Sequence, residues 1–377
     1  MKKPPSISDR RPVAAATDLR RRRLTQWLAA SVLLAGQRPL TAASREQARQ
    51  EPADETLKAA AIQMTPKLGA VEANLAQAEQ LVRQAVAAGA RLVVLPEMFT
   101  SAAAFHEDMV KAIRPIDGTP AQLLKDLARQ ENVVLGGSFL AEDRGRVFNS
   151  FLLVTPDGAT WRHDKDFPTY WETCYYEKGD DDGVLISPLG QIGAALCWEM
   201  VRSGTVRRLA GRIQLLLAGS TWWTLPEEAG PDHPLRAVNL AMLSESPPRL
   251  SRMLGVPVVH ASHAGPFEGY QSPELPDVPY RSSYLGEAMI TDATGNVLAR
   301  RRGEEGAGVV VADVAMPARP VASEDIPDRF WLPEQMPQEW IDSWQRWFAR
   351  GEDYYQSVTL PYLATGEIEE YVPPYLR

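Results

Sequence analysis

A series of short apolar runs, each followed by a loop or a helical segment, limits this chain to very few architectures. Residues 57–63, 91–95, 133–137, 191–196, 213–218 and 256–260 are each five to seven residues long. Runs of that length, apolar on both faces, suit strands buried on both sides better than helices. Between them, residues 74–88 carry Leu75, Ala78, Leu81, Val82 and Ala85 at helical spacing, with Gly89 just past the end as a C-cap. Further helices are expected at 120–130, from 205, and at 236–254. Two hairpins interrupt the alternation. Residues 148–155 and 160–164 flank Pro156-Asp157-Gly158, and residues 285–292 and 297–301 flank Ala293-Thr294-Gly295-Asn296. A strand at 309–314 closes the body. The pattern predicts an α/β fold whose sheet has some antiparallel members and carries helices on its outer face.

Charge separates the ends of the chain. Residues 1–43 hold nine Lys/Arg and two acids, a net +7, whereas the whole chain is −8, which leaves −15 on residues 44–377. An acidic body repels nucleic acid, so none is expected as a partner. The basic start reads as an address. Arg20–Arg23 precede an apolar stretch at 28–36 and the small residues Thr41-Ala42-Ala43, the layout of an export signal. The arginine run resembles a twin-arginine signal, with Leu24 where Phe is favoured. A periplasmic or secreted protein is expected, with a mature start near Ser44 and a polar linker over 44–56. The alternative is a basic tail on a cytoplasmic protein. The apolar stretch is too short to span a bilayer, so no membrane span is expected in the mature chain. Two cysteines, Cys174 and Cys197, exclude a disulfide framework or a zinc finger.

Three reactive residues sit just past strand ends. Leu92-Val93-Val94-Leu95-Pro96 runs into Glu97, residues 160–164 run into Lys165, and residues 191–196 run into Cys197. Ligands of open α/β sheets collect at the carboxyl ends of strands. Each residue alone has a plainer explanation: a solvated loop acid, a surface lysine, a small buried thiol. Together they are complementary. A thiol is only slightly ionised at neutral pH. A carboxylate can take its proton, and an ammonium favours the thiolate and then the oxyanion of a tetrahedral intermediate. Cys174 follows no apolar strand and reads as a bystander.

The order Glu–Lys–Cys, in Leu95-Pro96-Glu97, His163-Asp164-Lys165 and Ala195-Leu196-Cys197-Trp198-Glu199, resembles the nitrilase superfamily of carbon–nitrogen hydrolases over about residues 57–314. Phe148-Asn149-Ser150 with Pro156-Asp157-Gly158 resembles a structural segment of that family. The resemblance implies an αββα sandwich, pairing as an αββααββα homodimer or a higher homo-oligomer, with no metal and no organic cofactor. It implies Glu97 as base, Cys197 as nucleophile, Lys165 as electrostatic partner and Glu172, seven residues after the lysine, as a second catalytic glutamate. The backbone N–H of Trp198 would join the oxyanion site. Pro168-Thr169 and Cys197-Trp198-Glu199 resemble the true-nitrilase branch, but Met200 and Arg202-Ser203-Gly204 depart from it. The expected substrate is therefore a small-molecule amide or nitrile.

Trp171, Trp222, Trp223, His263 and Phe267 are candidate pocket residues. Two rival functions are a Cys–His acyltransferase, pairing Cys197 with His260 or His263, and a non-catalytic binding protein on the same fold. Residues 315–377 form an aromatic-rich extension. Its segment 337–351, with Trp340, Trp344, Trp347 and Phe348 at helical spacing, predicts an amphipathic helix that docks on the body.

Overall fold

The computed structural model describes residues 55–376. The expected leader and residues 44–54 of the linker lie outside the described residues. Strand β1 starts at Glu55, so the last two residues of the segment read as linker belong to the sheet.

The strands in chain order are β1 (Glu55–Met64), β2 (Leu92–Val94), β3 (Arg114–Pro115), β4 (Val134–Asp143), β5 (Arg146–Val154), β6 (Thr160–Asp164), β7 (Val184–Ser187), β8 (Gly190–Leu196), β9 (Leu215–Ser220), β10 (Val258–Ser272), β11 (Leu275–Thr291), β12 (Val297–Arg302) and β13 (Gly308–Met316). The helices are α1 (Val71–Ala87), α2 (Glu107–Lys111), α3 (Thr119–Glu131), α4 (Ser203–Leu209), α5 (Pro234–Leu254), α6 (Gln338–Tyr354) and α7 (Leu360–Thr365).

The sheet runs β6-β5-β4-β2-β1-β10-β9-β8-β7, with β11 and β12 added beyond β10 and β13 added beside β1. β1 pairs with β13 over Glu55–Gln63 but meets β10 only at Gln63 and Met64. The sheet therefore splits at β1 and folds over on itself. Alternate side chains of β1 show the two faces. Ala59 and Ala61 pack inward with Leu92, Val94, Leu196, Leu217, Val259 and Ile290, drawn from both halves. Ala60, Ile62 and Met64 pack outward against α1 and α3. On the second half, Ala195, Leu216, Ala218 and Val258 pack outward against α4 and α5. The period of two thus makes an αββα sandwich from a single sheet. The sheet nearly closes into a barrel: Asp181, just before β7, binds His163 Nδ1 (2.6 Å) and the Asp164 N–H (2.8 Å) at the end of β6.

Several elements exceed their expected bounds. β4 runs on to Asp143 and turns into β5, and β10 and β11 form one long hairpin whose outer half was not expected. Their outer portions alternate polar and apolar and carry Pro266 and Pro279, which hides a strand from an apolar-run reading. β7 is only 4 residues long, with Ile186 exposed, too short for an apolar-run reading to predict. The expected helix from 337 forms as α6 and continues through a π-helical turn at Tyr355–Thr359 into α7. The extension lies along the body: Thr359 Oγ1 donates to the Cys174 carbonyl (2.6 Å), and the Val147 N–H donates to Tyr355 Oη (3.0 Å). Among the described residues no helix is long and apolar enough to cross a membrane.

Candidate active site

Four strand ends converge. Glu97 follows β2, Lys165 follows β6, Cys197 follows β8 and Thr221 follows β9. Glu97, Lys165 and Glu172 are all fully or almost fully buried. Lys165 Nζ donates to Glu97 Oε1 (2.8 Å) and to Glu172 Oε2 (2.7 Å), so one ammonium joins both carboxylates. Asn149 Nδ2 donates to Glu97 Oε1 (2.9 Å), while the Thr221 N–H (2.9 Å) and hydroxyl (2.8 Å) donate to Glu97 Oε2. Glu172 Oε2 also accepts from the Thr169 N–H (2.9 Å) and the Tyr176 hydroxyl. Asn149, expected as structural, in fact fixes Glu97. Thr221 and Tyr176 were not anticipated, although Thr221 obeys the same strand-end rule that picks out the other three.

Gly219 shows how closely β9 approaches. A Cβ there would lie 2.7 Å from the Glu97 nitrogen. Only glycine lets the two backbones meet at that distance.

Cys197 takes a left-handed backbone (φ 50°) at the turn from β8 into a 3₁₀ segment, Cys197–Val201. Non-glycine residues adopt that conformation rarely, and such strain gathers at functional turns. Burial pushes the thiol well above its ordinary value; Glu97 and Glu172 add to the rise, and Lys165 opposes it. The resting sulfur is therefore a protonated thiol rather than a thiolate preformed by the lysine. Lys165 itself stays charged: burial would lower its pKa, but Glu172 and Glu97 outweigh burial and hold it well above the ordinary range.

A second buried cluster lies under the turn. Glu199 accepts from the Leu196 N–H (2.7 Å), the Asp166 N–H (3.2 Å) and Arg208 (2.6 Å), and its Oε2 is 3.0 Å from His163 Nε2. Glu199 thus ties the residue before Cys197 to the residue after Lys165. His163 is pushed up to about 10: burial pulls it down, but Glu199 and Asp181 prevail.

Cys197 opens onto a cavity of about 370 Å³. Trp171, Trp222 and Trp223, three of the expected pocket residues, line it, as does Trp198. His263 and Phe267 do not. His263 Nε2 binds the Glu97 carbonyl (2.8 Å), and Phe267 stacks on Tyr284 at 4.5 Å. Both lie on the β10–β11 hairpin, which turns their side chains into the core. His260 is engaged by Ser220 Oγ and the Glu287 carbonyl, both at 2.9 Å. Burial pushes both imidazoles down to about 4, and neither lines the cavity with Cys197. Cys174 is buried apart from it, under the extension. Among the described residues no group of three His, Cys, Asp or Glu side chains could hold a metal ion.

Comparison with known proteins agrees with this geometry. Residues 58–319 match the family model described as carbon-nitrogen hydrolase. The chain is 30% identical to a nitrilase of Pyrococcus abyssi (strain GE5 / Orsay) over 41% of its length and 60% of that protein. It is 25% identical to an N-carbamoylputrescine amidase of Arabidopsis thaliana over 61% of its length and 77% of that protein. The chain thus spans less than two thirds of the Pyrococcus relative. Its fold superposes on an amidase variant from Nesterenkonia sp. AN1, bearing acrylamide added at the active-site cysteine, with a TM-score of 0.52 and 19% identity over 70% of this chain and 94% of that one.

Proposed function

This chain belongs to the carbon-nitrogen hydrolase family, and on that premise we propose that it hydrolyses a small non-peptide amide to a carboxylate and ammonia or an amine through a thioester on Cys197. The observation that carries the reading is the ion triad in which Lys165 Nζ joins Glu97 and Glu172 beside a thiol that opens onto a cavity.

The chemistry follows from the charges. With the resting thiol protonated, Glu97 takes the proton as the sulfur attacks the amide carbon. The oxyanion that forms is met by the Lys165 ammonium and the Trp198 backbone N–H. Collapse breaks the C–N bond, and the amine leaves with the proton held by Glu97. Glu97 then deprotonates a water that attacks the thioester, and the C–S bond breaks to restore the thiol. Glu172 holds Lys165 and positions the substrate. Asn149 donates to Glu97 Oε1 and Thr221 to Glu97 Oε2, which holds the carboxyl group in place.

The test is an ammonia-release screen across amides, nitriles and N-carbamoyl compounds, run with the wild type and with Cys197→Ala. Amide turnover by the wild type alone is expected. A Cys197→Ala variant at wild-type rate would overturn the assignment, and equal or greater release from nitriles would move it to a nitrilase. We also propose that residues 1–43 direct export, on the strength of their charge and the apolar run behind Arg20–Arg23, and that the body works as a homodimer.

A further inference from the structure

We propose that α6 of the C-terminal extension is the specificity wall of the active site, and that it selects a substrate with a flat, uncharged aromatic acyl group. The inference rests on the amide-hydrolase reading and adds to it a substrate class and the residues that choose it.

Three observations carry it. The first is the wall itself. Trp340, Ser343 and Trp347 lie on one face of α6 and line the same cavity as Cys197. Trp222 and Trp223 line it too, and Trp223 is stacked on Trp171 at 4.4 Å and 22°. Indoles supplied by separate segments enclose a space suited to a planar ring. Its volume, about 370 Å³, exceeds the roughly 150 Å³ that holds a benzene. A bicyclic ring on a short tether fits that space.

The second is the way α6 is fastened. The Tyr170 hydroxyl donates to the Trp340 carbonyl (3.1 Å), Trp344 Nε1 donates to the Pro168 carbonyl (3.0 Å), and Thr173 Oγ1 donates to the Trp347 carbonyl (2.9 Å). These three bonds flank Glu172 on both sides. A Cβ at Gly351 would fall 1.7 Å from Thr173 Oγ1, so the helix packs directly on the backbone that carries Glu172. The wall is fixed to the catalytic loop and sits at a set distance from the sulfur.

The third is charge. Two buried carboxylates accompany one ammonium at Cys197, and the charges that α6 brings to the cavity, Glu339 and Arg346, are of opposite sign. An acyl carboxylate near the scissile carbon would find the one ammonium there, Lys165, already engaged by Glu97 and Glu172. The acyl group stays tethered to Cys197 until water arrives, whereas the amine needs only a way out. The walls beside the sulfur therefore fit the acyl portion.

The test measures kcat and KM for indole-3-acetamide and acetamide with the full chain. The wild type is expected to favour indole-3-acetamide at least a hundredfold in kcat/KM. Trp340→Ala and Trp347→Ala should each lower that preference at least tenfold, mainly through KM, and Trp347→Phe should restore most of it. Ser343→Trp fills the cavity from the helix side and should also lower the preference, which covers the case of an alanine variant that fails to fold. Equal use of the two amides by the wild type, or an unchanged preference in the folded variants, would overturn the inference and leave the hydrolase reading intact. No ammonia from any amide would overturn both.

Discussion

Replacing His163 with glutamine should remove a definite part of the protein's pH-dependent stability. The imidazole is fully buried between Asp181 and Glu199 and is pushed from 6.5 up to about 10. A raised pKa means that the folded state holds a proton the unfolded state releases. The contribution is fully present below about 6.5 and is lost as pH rises through about 10. With each tenfold change in proton affinity worth about 1.4 kcal/mol, the total is on the order of 5 kcal/mol. Between these limits wild-type stability should fall by about 1.4 kcal/mol per pH unit from this group alone. For a body of this size that is roughly 2 °C in Tm per pH unit. His163→Gln keeps a side chain of similar reach but cannot carry the charge, and Arg208 still pairs with Glu199. Thermal unfolding of both proteins from pH 7 to 9.5 should give a shallower slope for the variant, with the two curves converging at high pH. Parallel curves would refute the reasoning, because they would mean that His163 is neutral in the folded protein.

Three further outcomes follow from the same geometry. Gly219→Ala should push Glu97 away from the thiol and lower kcat at least a hundredfold while the circular dichroism spectrum stays native, since general-base catalysis is worth roughly 10²–10⁴; a variant within threefold of wild type would show that Glu97 tolerates the shift. Cys174→Ala should leave turnover within about twofold, and iodoacetamide should label Cys197 before Cys174, because Cys197 opens onto the cavity while Cys174 is buried under the extension; read by peptide mass spectrometry, preferential labelling of Cys174 would contradict this. Cell fractionation and sequencing of the mature N-terminus should find a start near Ser44 outside the cytoplasm; an intact Met1 in the cytoplasm would refute export.

The catalytic strand ends were legible because burial on both faces leaves a plain apolar run, and a reactive residue directly after such a run stands out. Glu97 and Cys197 both do so, whereas Lys165 follows the polar, partly buried hairpin strand β6 and stands out through the Pro156-Asp157-Gly158 turn that predicts that strand. Thr221 follows an equally clear run, yet a threonine there suggests no chemistry until Glu97 Oε2 is seen beside it. Glu199 was visible only as part of a motif, since its partners His163, Asp166 and Arg208 come from distant segments. His263 and Phe267 look like pocket residues because they follow an apolar run, but the run continues as a long hairpin strand and both side chains stay in the core. The amphipathic face of α6 could be read from its tryptophan spacing. Its docking site on the Glu172 loop could not, because a helical stripe states that it needs a partner and not which one.

The most direct test of the central claim is rapid quench of the wild type during amide turnover, followed by mass spectrometry of the peptide containing Cys197. The account predicts an added acyl group on Cys197 that hydroxylamine removes and that Cys197→Ala does not form. Steady amide hydrolysis with no acyl group on Cys197, or with the label on Cys174, would contradict it.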